Sequence, residues 1–436
     1  MEHFGVTGTS QPPTRIFVDV TETVHLDMRT GIQRVVREIA RRDDAADGAF
    51  CIIPVLAIKG QFFHLSAAGW QQLRRPGRAQ IVPATPYRAP LSLRIVRTLL
   101  SPFPRLVLKA RRWLATRRFE RGLEAYAGEQ VVPGHGDRVV LADTYYQSTA
   151  VQAGRLARRR GAALLTVTYD LIPVQYPQLM EENFLAYFRD KVPPTMAASD
   201  GVLTISDWCV DELRKFGVTT PLGRFYLGHD LPTDEAAESA QEGDGFASWP
   251  TGLWDGPGPV FLMVGTIASH KGHGISLEAF ERLWAQGVQC RLLMVGRPGW
   301  EVDTLIRRLN EHPERNRHLF MVHDADDAMV DEAFRRAFAA INGSLVEGFG
   351  LPLVEALARS LPVIASDIPI FREIAGDAVL QFEQGNPDAL AAAVRIMMAE
   401  RDKYAKMAQH FTWIDWNGAR DAFVLETDRL ATQAGK

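Results

Sequence analysis

Cysteine is scarce: the chain has three in 436 residues, Cys51, Cys209 and Cys290, and no C-x-x-C. That argues against a disulfide framework and a zinc ribbon, and a reducing cytoplasm is the compartment expected. No apolar run approaches the roughly 18 residues that would cross a bilayer. The opening MEHFGVTGTSQPPT has no charged segment leading into an apolar one, so it does not read as a secretory signal. Neither sign of charge dominates: 49 Lys and Arg stand against 52 Asp and Glu, a net charge of −3. This excludes a generally cationic nucleic-acid binder, and no nucleic acid is expected as a partner. The rest, 46% hydrophobic, is an ordinary soluble globular composition, long enough for two or three domains with their own cores.

Short β-branched runs alternate with helical patterns. The run 15–20 reads as a strand, and Ile32, Val35, Val36, Ile39 and Ala40 form the apolar stripe of a following helix. Further strands are expected at 49–58, 138–142, 163–169 and 201–205, with Ser206 capping a helix over 207–216. A second series places strands at 259–265, 290–296, 318–323, 339–342 and 362–366. Between them the pattern puts helices at 274–286, 301–311, 327–338 and 352–360. Two βαβ series predict an α/β protein with two doubly wound, parallel-sheet domains. Between the series, TDEAAESAQEGDG (233–245) carries five acids, no base and few large apolar residues, and reads as a solvated linker.

Charge is concentrated in one place. Residues 88–121 hold ten Arg and Lys against Glu120 alone, a net of +9, so the other 402 residues net −12. Leu91, Leu93, Ile95, Val96, Leu99, Leu106, Trp113 and Phe119 are interleaved with the bases. Two readings fit. Such a stretch can lie on an anionic membrane surface, at about 1 kcal/mol per nearby base. It can equally be a helical pair packed on the domain with a solvated basic face.

The stretch Ser344-Leu-Val-Glu347-Gly348-Phe349-Gly350-Leu351-Pro-Leu-Val-Glu355 carries the most chemistry. Pro352 suits a first helical turn, where its missing N–H has no partner to lose. The N–H groups of Gly350, Leu351 and Leu353 would then face outward as an anion site that glycines let a diphosphate approach. Glu355, one turn in, can accept hydrogen bonds from a ribose diol, and Glu347 in the loop can hold sugar hydroxyls. The plainer reading is a tight turn with Glu355 complementing the helix dipole. A second loop, Val264-Gly265-Thr266-Ile-Ala-Ser-His270-Lys271-Gly272, follows an apolar strand and opens a helix. Lys271 can place a point charge on a phosphate there, or stand solvated in a surface loop. No Walker A motif is present.

Together these stretches resemble the retaining GT-B glycosyltransferases of family four, the group 1 transferases, mannosyltransferases of bacteria among them. The E-x7-E pair is present as Glu347 and Glu355, and V-G-T-I-x-x-x-K-G ends on Lys271 and Gly272. SDIPIFREIAGDAVLQF (366–382) and NPDALAAAV (386–394) are similar to the family's C-terminal stretch. DMRTGIQRVVREI (27–39), YDLIP (169–173) and SDGVLTIS (199–206) also look like the family. The resemblance covers nearly the whole chain apart from the linker and the 60–130 region.

It implies two Rossmann-like domains facing a cleft. Residues 1–232 would bind the acceptor, 233–250 would link, 251–415 would bind the nucleotide sugar, and helix 416–436 would cross back. By position, Gly265, Thr266, His270, Lys271, Gly348, Phe349, Gly350 and Leu351 would surround the diphosphate. Glu355 would take the ribose and Glu347 the donor sugar, and Gly31 would approach the donor from the N-terminal domain. Catalysis would fall to Glu347, Lys271 and Asp170. The implied reaction moves a hexose, mannose favoured, from a nucleoside diphosphate sugar to a glycan or lipid-linked acceptor in surface polysaccharide synthesis. It needs no metal and no cofactor if Lys271 and the helix N-terminus stabilise the leaving diphosphate. The enzyme would be cytoplasmic, with a peripheral place at the membrane through 88–121. A nucleotide-sugar epimerase of the same fold, or a non-catalytic sugar-nucleotide-binding protein, are the alternatives.

Two departures from the family stand out. His270 replaces an Arg of many relatives and Thr266 a second base, so diphosphate binding would lean on Lys271 and backbone amides. Tyr169-Asp170 stands where many relatives carry His-Asp, so a catalytic histidine is missing there. Asp324-Ala-Asp326 matches the metal motif of the other glycosyltransferase fold, but its place before a helix predicts N-capping. His270 and His273 have no carboxylate or Cys nearby to complete a zinc set.

Overall fold

The computed structural model describes residues 12–26, 30–41, 49–74, 117–143, 148–180, 182–230, 249–299 and 302–434. Most of 88–121 and of the 233–250 linker lies outside these. The chain forms two compact units that do not follow chain order. Unit 1 is Met1–Val167, Pro194–Leu203 and Val424–Lys436; unit 2 is Thr168–Pro193 and Thr204–Phe423.

In unit 1, β1 (Thr14–Asp19) leads through α1 (Thr21–Leu26) and α2 (Gly31–Ile39) to β2 (Phe50–Ile58), parallel to β1. The stripe of α2 is buried at Val35, Val36 and Ile39, as its spacing predicts. β3 (Gln61–Leu65), α3 (Ala67–Arg74) and β4 (Ala127–Val131) follow, then β5 (Arg138–Leu141), α4 (Ser148–Arg159), β6 (Ala163–Val167) and β7 (Gly201–Thr204). The strands of unit 1 run in the order β4-β3-β2-β1-β5-β6-β7.

The sheet is parallel from β2 to β7, as expected, and departs from this at one edge, where β3 pairs antiparallel with both β2 and β4. The cause is local. Ile58 faces Gln61 across the two-residue turn Lys59-Gly60, whose φ angles of 52° and 74° are those of a tight hairpin. Glycine tolerates that conformation; Lys59 adopts it at a cost.

Unit 2 begins with α5 (Ile172–Gln175), most of α6 (Glu182–Ala197), α7 (Asp207–Lys215) and β8 (Leu222–Arg224). Its parallel sheet runs from β9 (Val260–Val264) through α8 (His273–Ala285), β10 (Arg291–Val295), α9 (Asp303–Asn310), β11 (Leu319–Val322) and α10 (Asp327–Arg336). It continues with β12 (Ala339–Asn342), α11 (Leu351–Ala358), β13 (Val363–Ser366), α12 (Pro369–Ala375), β14 (Leu380–Phe382) and α13 (Pro387–Gln409). The order β11-β10-β9-β12-β13-β14 reverses between β9 and β12. Phe261, Met263, Phe280, Leu292, Ile341 and Leu390 lie in its core. In α14 (Trp416–Ala434), residues to Phe423 belong to unit 2 and those from Val424 to unit 1.

Candidate active site

In a doubly wound sheet, ligands bind outside the carboxyl ends of the strands where the strand order reverses. Here that point lies between β9 and β12, which pair in parallel. The two loops leaving these strands, 265–272 and 343–350, are the two that the sequence singled out. A single 3₁₀ turn, Ser269–Lys271, ends the first loop, and Leu345 N–H donates to the His270 carbonyl at 2.7 Å to join the loops.

Glu347 is the centre of the group. Its Oε1 accepts from Lys271 Nζ at 2.6 Å and from Ser344 Oγ at 2.7 Å. Its Oε2 has no hydrogen-bond partner among the described residues. Burial pushes this carboxyl up, but the Lys271 ammonium and the two hydrogen bonds outweigh it and hold Glu347 below its ordinary value. Glu347 is therefore an anion at neutral pH. Ser344 stood in the stretch the sequence singled out, but no local pattern marks its hydroxyl as the partner of Glu347.

Asp170 stands beside this pair. Its Oδ1 accepts from Ile172 N–H at 3.0 Å. Burial, and secondarily the negative Glu347, push it up to about 6, against that hydrogen bond and Lys271. Burial, helped by Lys271, pushes His270 down to about 4. At neutral pH His270 therefore offers a neutral imidazole rather than the positive charge of the Arg it replaces.

Helix α11 opens with Gly350 at φ 99°, where a Cβ would lie 2.6 Å from Phe371. Only glycine suits that position. The N–H groups of Gly350 and Leu351 have no partner among the described residues. Leu353 is a correction, because its N–H donates to the Gly350 carbonyl at 3.0 Å and so is not offered outward. Glu355 is buried in α11, 7% exposed. The Phe349 ring is also buried, with Trp413 at 5.9 Å and Tyr226 at 6.4 Å between centroids, so this residue has only its backbone to offer a ligand. Thr266 is exposed and Gly265 half-buried in the first loop. Gly31 opens α2 in unit 1, whereas every other candidate is in unit 2.

Asp326 caps α10 by accepting from Met329 N–H at 2.8 Å, and Asp324 pairs with Arg297. The D-x-D look-alike is thus occupied structurally. Among the described residues no three His, Cys, Asp or Glu are grouped so as to hold a metal ion.

Residues 251–411 match the family model described as glycosyl transferases group 1. The serotype-specific mannosyltransferase WbdA of Escherichia coli is 31% identical over 290 residues, 64% of this chain but only 35% of that protein's length. A Mycobacterium tuberculosis protein described as a GDP-mannose-dependent alpha-(1-6)-phosphatidylinositol dimannoside mannosyltransferase is 24% identical over 271 residues, 60% of this chain and 67% of its own. Among solved structures, Anabaena HepE, crystallised with UDP and glucose, superposes with a TM-score of 0.56 at 14% identity, over 97% of this chain and 98% of that one. The described chain thus has the GT-B fold of two Rossmann-like α/β domains, and its residues 251–411 match the glycosyl transferases group 1 family.

Proposed function

We propose that the chain is a retaining glycosyltransferase that moves a hexose, mannose before others, from a nucleoside diphosphate sugar to a hydroxyl of a glycan or lipid-linked acceptor in surface polysaccharide synthesis. The observation that carries this reading is the Glu347 carboxylate, gripped on one oxygen by Lys271 and Ser344 and open on the other. It precedes a helix N-terminus where two N–H groups have no partner among the described residues. The mannosyltransferase relatives support mannose, and the mycobacterial one supports GDP as the carrier.

The chemistry follows from charge. As the diphosphate leaves, the sugar gains oxocarbenium character and the phosphate gains negative charge. Lys271 keeps two ammonium hydrogens beyond the one given to Glu347, and the Gly350 and Leu351 N–H groups add donors at the start of α11. Groups set in advance where charge develops stabilise the transition state more than the ground state. Glu347 positions sugar hydroxyls through Oε2 and is not a covalent nucleophile. The acceptor attacks from the face the phosphate leaves, which retains the anomeric configuration, and the departing phosphate oxygen takes its proton. Asp170 accepts a hydrogen bond from a sugar or acceptor hydroxyl. In this reading Lys271 and the amides supply the positive charge, and no resident metal is required.

A panel of GDP-, UDP- and dTDP-sugars should separate the readings, using thermal shift and turnover with and without acceptor. GDP-mannose should raise Tm and be consumed only with acceptor. Glu347→Gln, which keeps size and loses charge, should lower kcat on the order of 10²-fold. Consumption of donor alone would indicate an epimerase, and no stabilisation or turnover by any sugar nucleotide would refute the reading.

The +9 segment is proposed to meet an anionic membrane surface that presents the acceptor. Only its end is described: the Phe119 ring lies tilted against His25, 4.2 Å between centroids, and Glu120 accepts from Lys59 N–H at 3.0 Å. Among the described residues no helix is long and apolar enough to cross a membrane. Flotation should recover the protein with anionic liposomes, in a salt-sensitive way, and not with neutral ones. Absence of binding at every salt concentration would sink the idea.

A further inference from the structure

Gly348, the residue after Glu347, is held by a segment about 140 residues earlier. Its carbonyl accepts from Ser206 Oγ at 3.0 Å and is 3.4 Å from Cys209 Sγ. Ser206 is 0% exposed and Cys209 2%, so water does not compete for that carbonyl. The same Ser206 oxygen accepts Cys209 N–H at 3.1 Å, which caps α7. Cys209 Sγ lies 3.3 Å from the Tyr169 carbonyl, and its single S–H donates to one of the two carbonyls at a time. Burial pushes this thiol up to about 12, so it stays a donor.

The seat has no slack. A Cβ at Gly348 would clash with the Tyr169 carbonyl oxygen. From the other side α12 closes it twice. Phe371 stands against Gly350, and the Glu373 carboxylate accepts the Asp207 and Trp208 N–H groups, each at 2.8 Å. The first three N–H groups of α7 are thus spoken for by Ser206 and Glu373. Among the described residues, the hydroxyl that both caps the helix and reaches the loop is that of Ser206.

We propose that Ser206, assisted by Cys209, is a positioning residue for Glu347: by holding the Gly348 carbonyl it sets where the carboxylate meets the donor sugar. This rests on the role given to Glu347 above. Gly348 follows Glu347 directly, about 3.8 Å away along the backbone, so a shift of the Gly348 peptide moves the backbone that carries the Glu347 carboxylate. A displacement of about 1 Å can cost on the order of 10²-fold in rate.

Ser206→Ala removes both a cap and the loop contact, so the comparison is Asp326→Ala, which removes a cap of α10 and no contact to the loop. Both variants should lose similar Tm. Only Ser206→Ala should lose kcat, by about 10- to 100-fold, with KM for the donor close to wild type. Adding Cys209→Ser, a stronger donor to the same carbonyl, should restore part of that loss. Hydrogen exchange gives a readout that does not need turnover: amides 353 and 354, which donate to the Gly350 carbonyl, should exchange faster in Ser206→Ala and not in Asp326→Ala. Unchanged kcat and exchange in Ser206→Ala, or equal losses in Asp326→Ala, would overturn the proposal. If the wild type turns over no sugar nucleotide but the exchange difference appears, the catalytic reading fails and the loop anchor stands.

Discussion

Two carboxyls of the site, Asp170 and Glu347, are shifted in opposite directions by the same surroundings. Both are raised by burial, yet only Glu347 has an ammonium at 2.6 Å to reverse the sign. Their pH signatures differ accordingly. Glu347, depressed in the folded state, stabilises the fold above its unfolded value, and that contribution is lost as pH falls through the folded value. Asp170, raised to about 6 from an ordinary 3.8, binds a proton more readily folded than unfolded. Its contribution is full below the ordinary value and is lost as pH rises through about 6. In the role proposed for Asp170, activity should run the other way, because an ionised Asp170 is the better hydrogen-bond acceptor. We expect kcat/KM to fall as pH drops through about 6, and this acid limb to vanish in Asp170→Asn along with most activity. Glu347→Gln removes a charge that raises Asp170, so any limb left in that variant should move to lower pH. A wild-type profile flat from pH 5 to 8 would contradict this role for Asp170.

At the scale of elements, the sequence spoke clearly wherever the signal is periodic or local. The stripe of α2, the alternation from β9 to β13 and the caps Ser206 and Asp326 are all patterns a few residues long, and each is found in the structure. So were the loops after β9 and β12, because glycine, Pro352 and the E-x7-E spacing mark them locally. The antiparallel edge was missed because Lys59-Gly60 is a weak turn signal beside Asn-Gly, and nothing in β4 (AGEQV) alternates. Leu353 was misassigned because a helix beginning at Gly350 already uses that N–H. What holds Glu347 was hidden for a different reason. Ser206, Cys209 and Tyr169 meet Gly348 across more than 130 residues, and no period in a single chain encodes such a meeting.

At the scale of the whole molecule, chain order and compact units part company at the C-terminus. α14 starts in unit 2 and finishes in unit 1, so the last residues stabilise the fold built first. Within unit 1 two contacts carry this. Arg138 pairs with Asp428 at 2.7 Å, but both side chains keep some exposure, so the pair contributes at most about 1 kcal/mol. Leu430 is the stronger tie. It is 0% exposed and lies so close over β7 that a Cβ at Gly201 would stand 2.9 Å from its own Cβ. Deleting its branched side chain leaves a cavity against a strand that has no side chain at 201 with which to fill it. Leu430→Ala should therefore destabilise unit 1 by about 3 kcal/mol. The loss should appear locally, as faster amide exchange in β5, β6 and β7, because cooperative units open separately. Exchange in β9, β10 and β12 should stay near wild type, and so should the Tm shift given by a sugar nucleotide bound at the β9–β12 loops. Unchanged protection in β7, or an equal loss across both sheets, would show that the end of α14 is not a working part of the first unit.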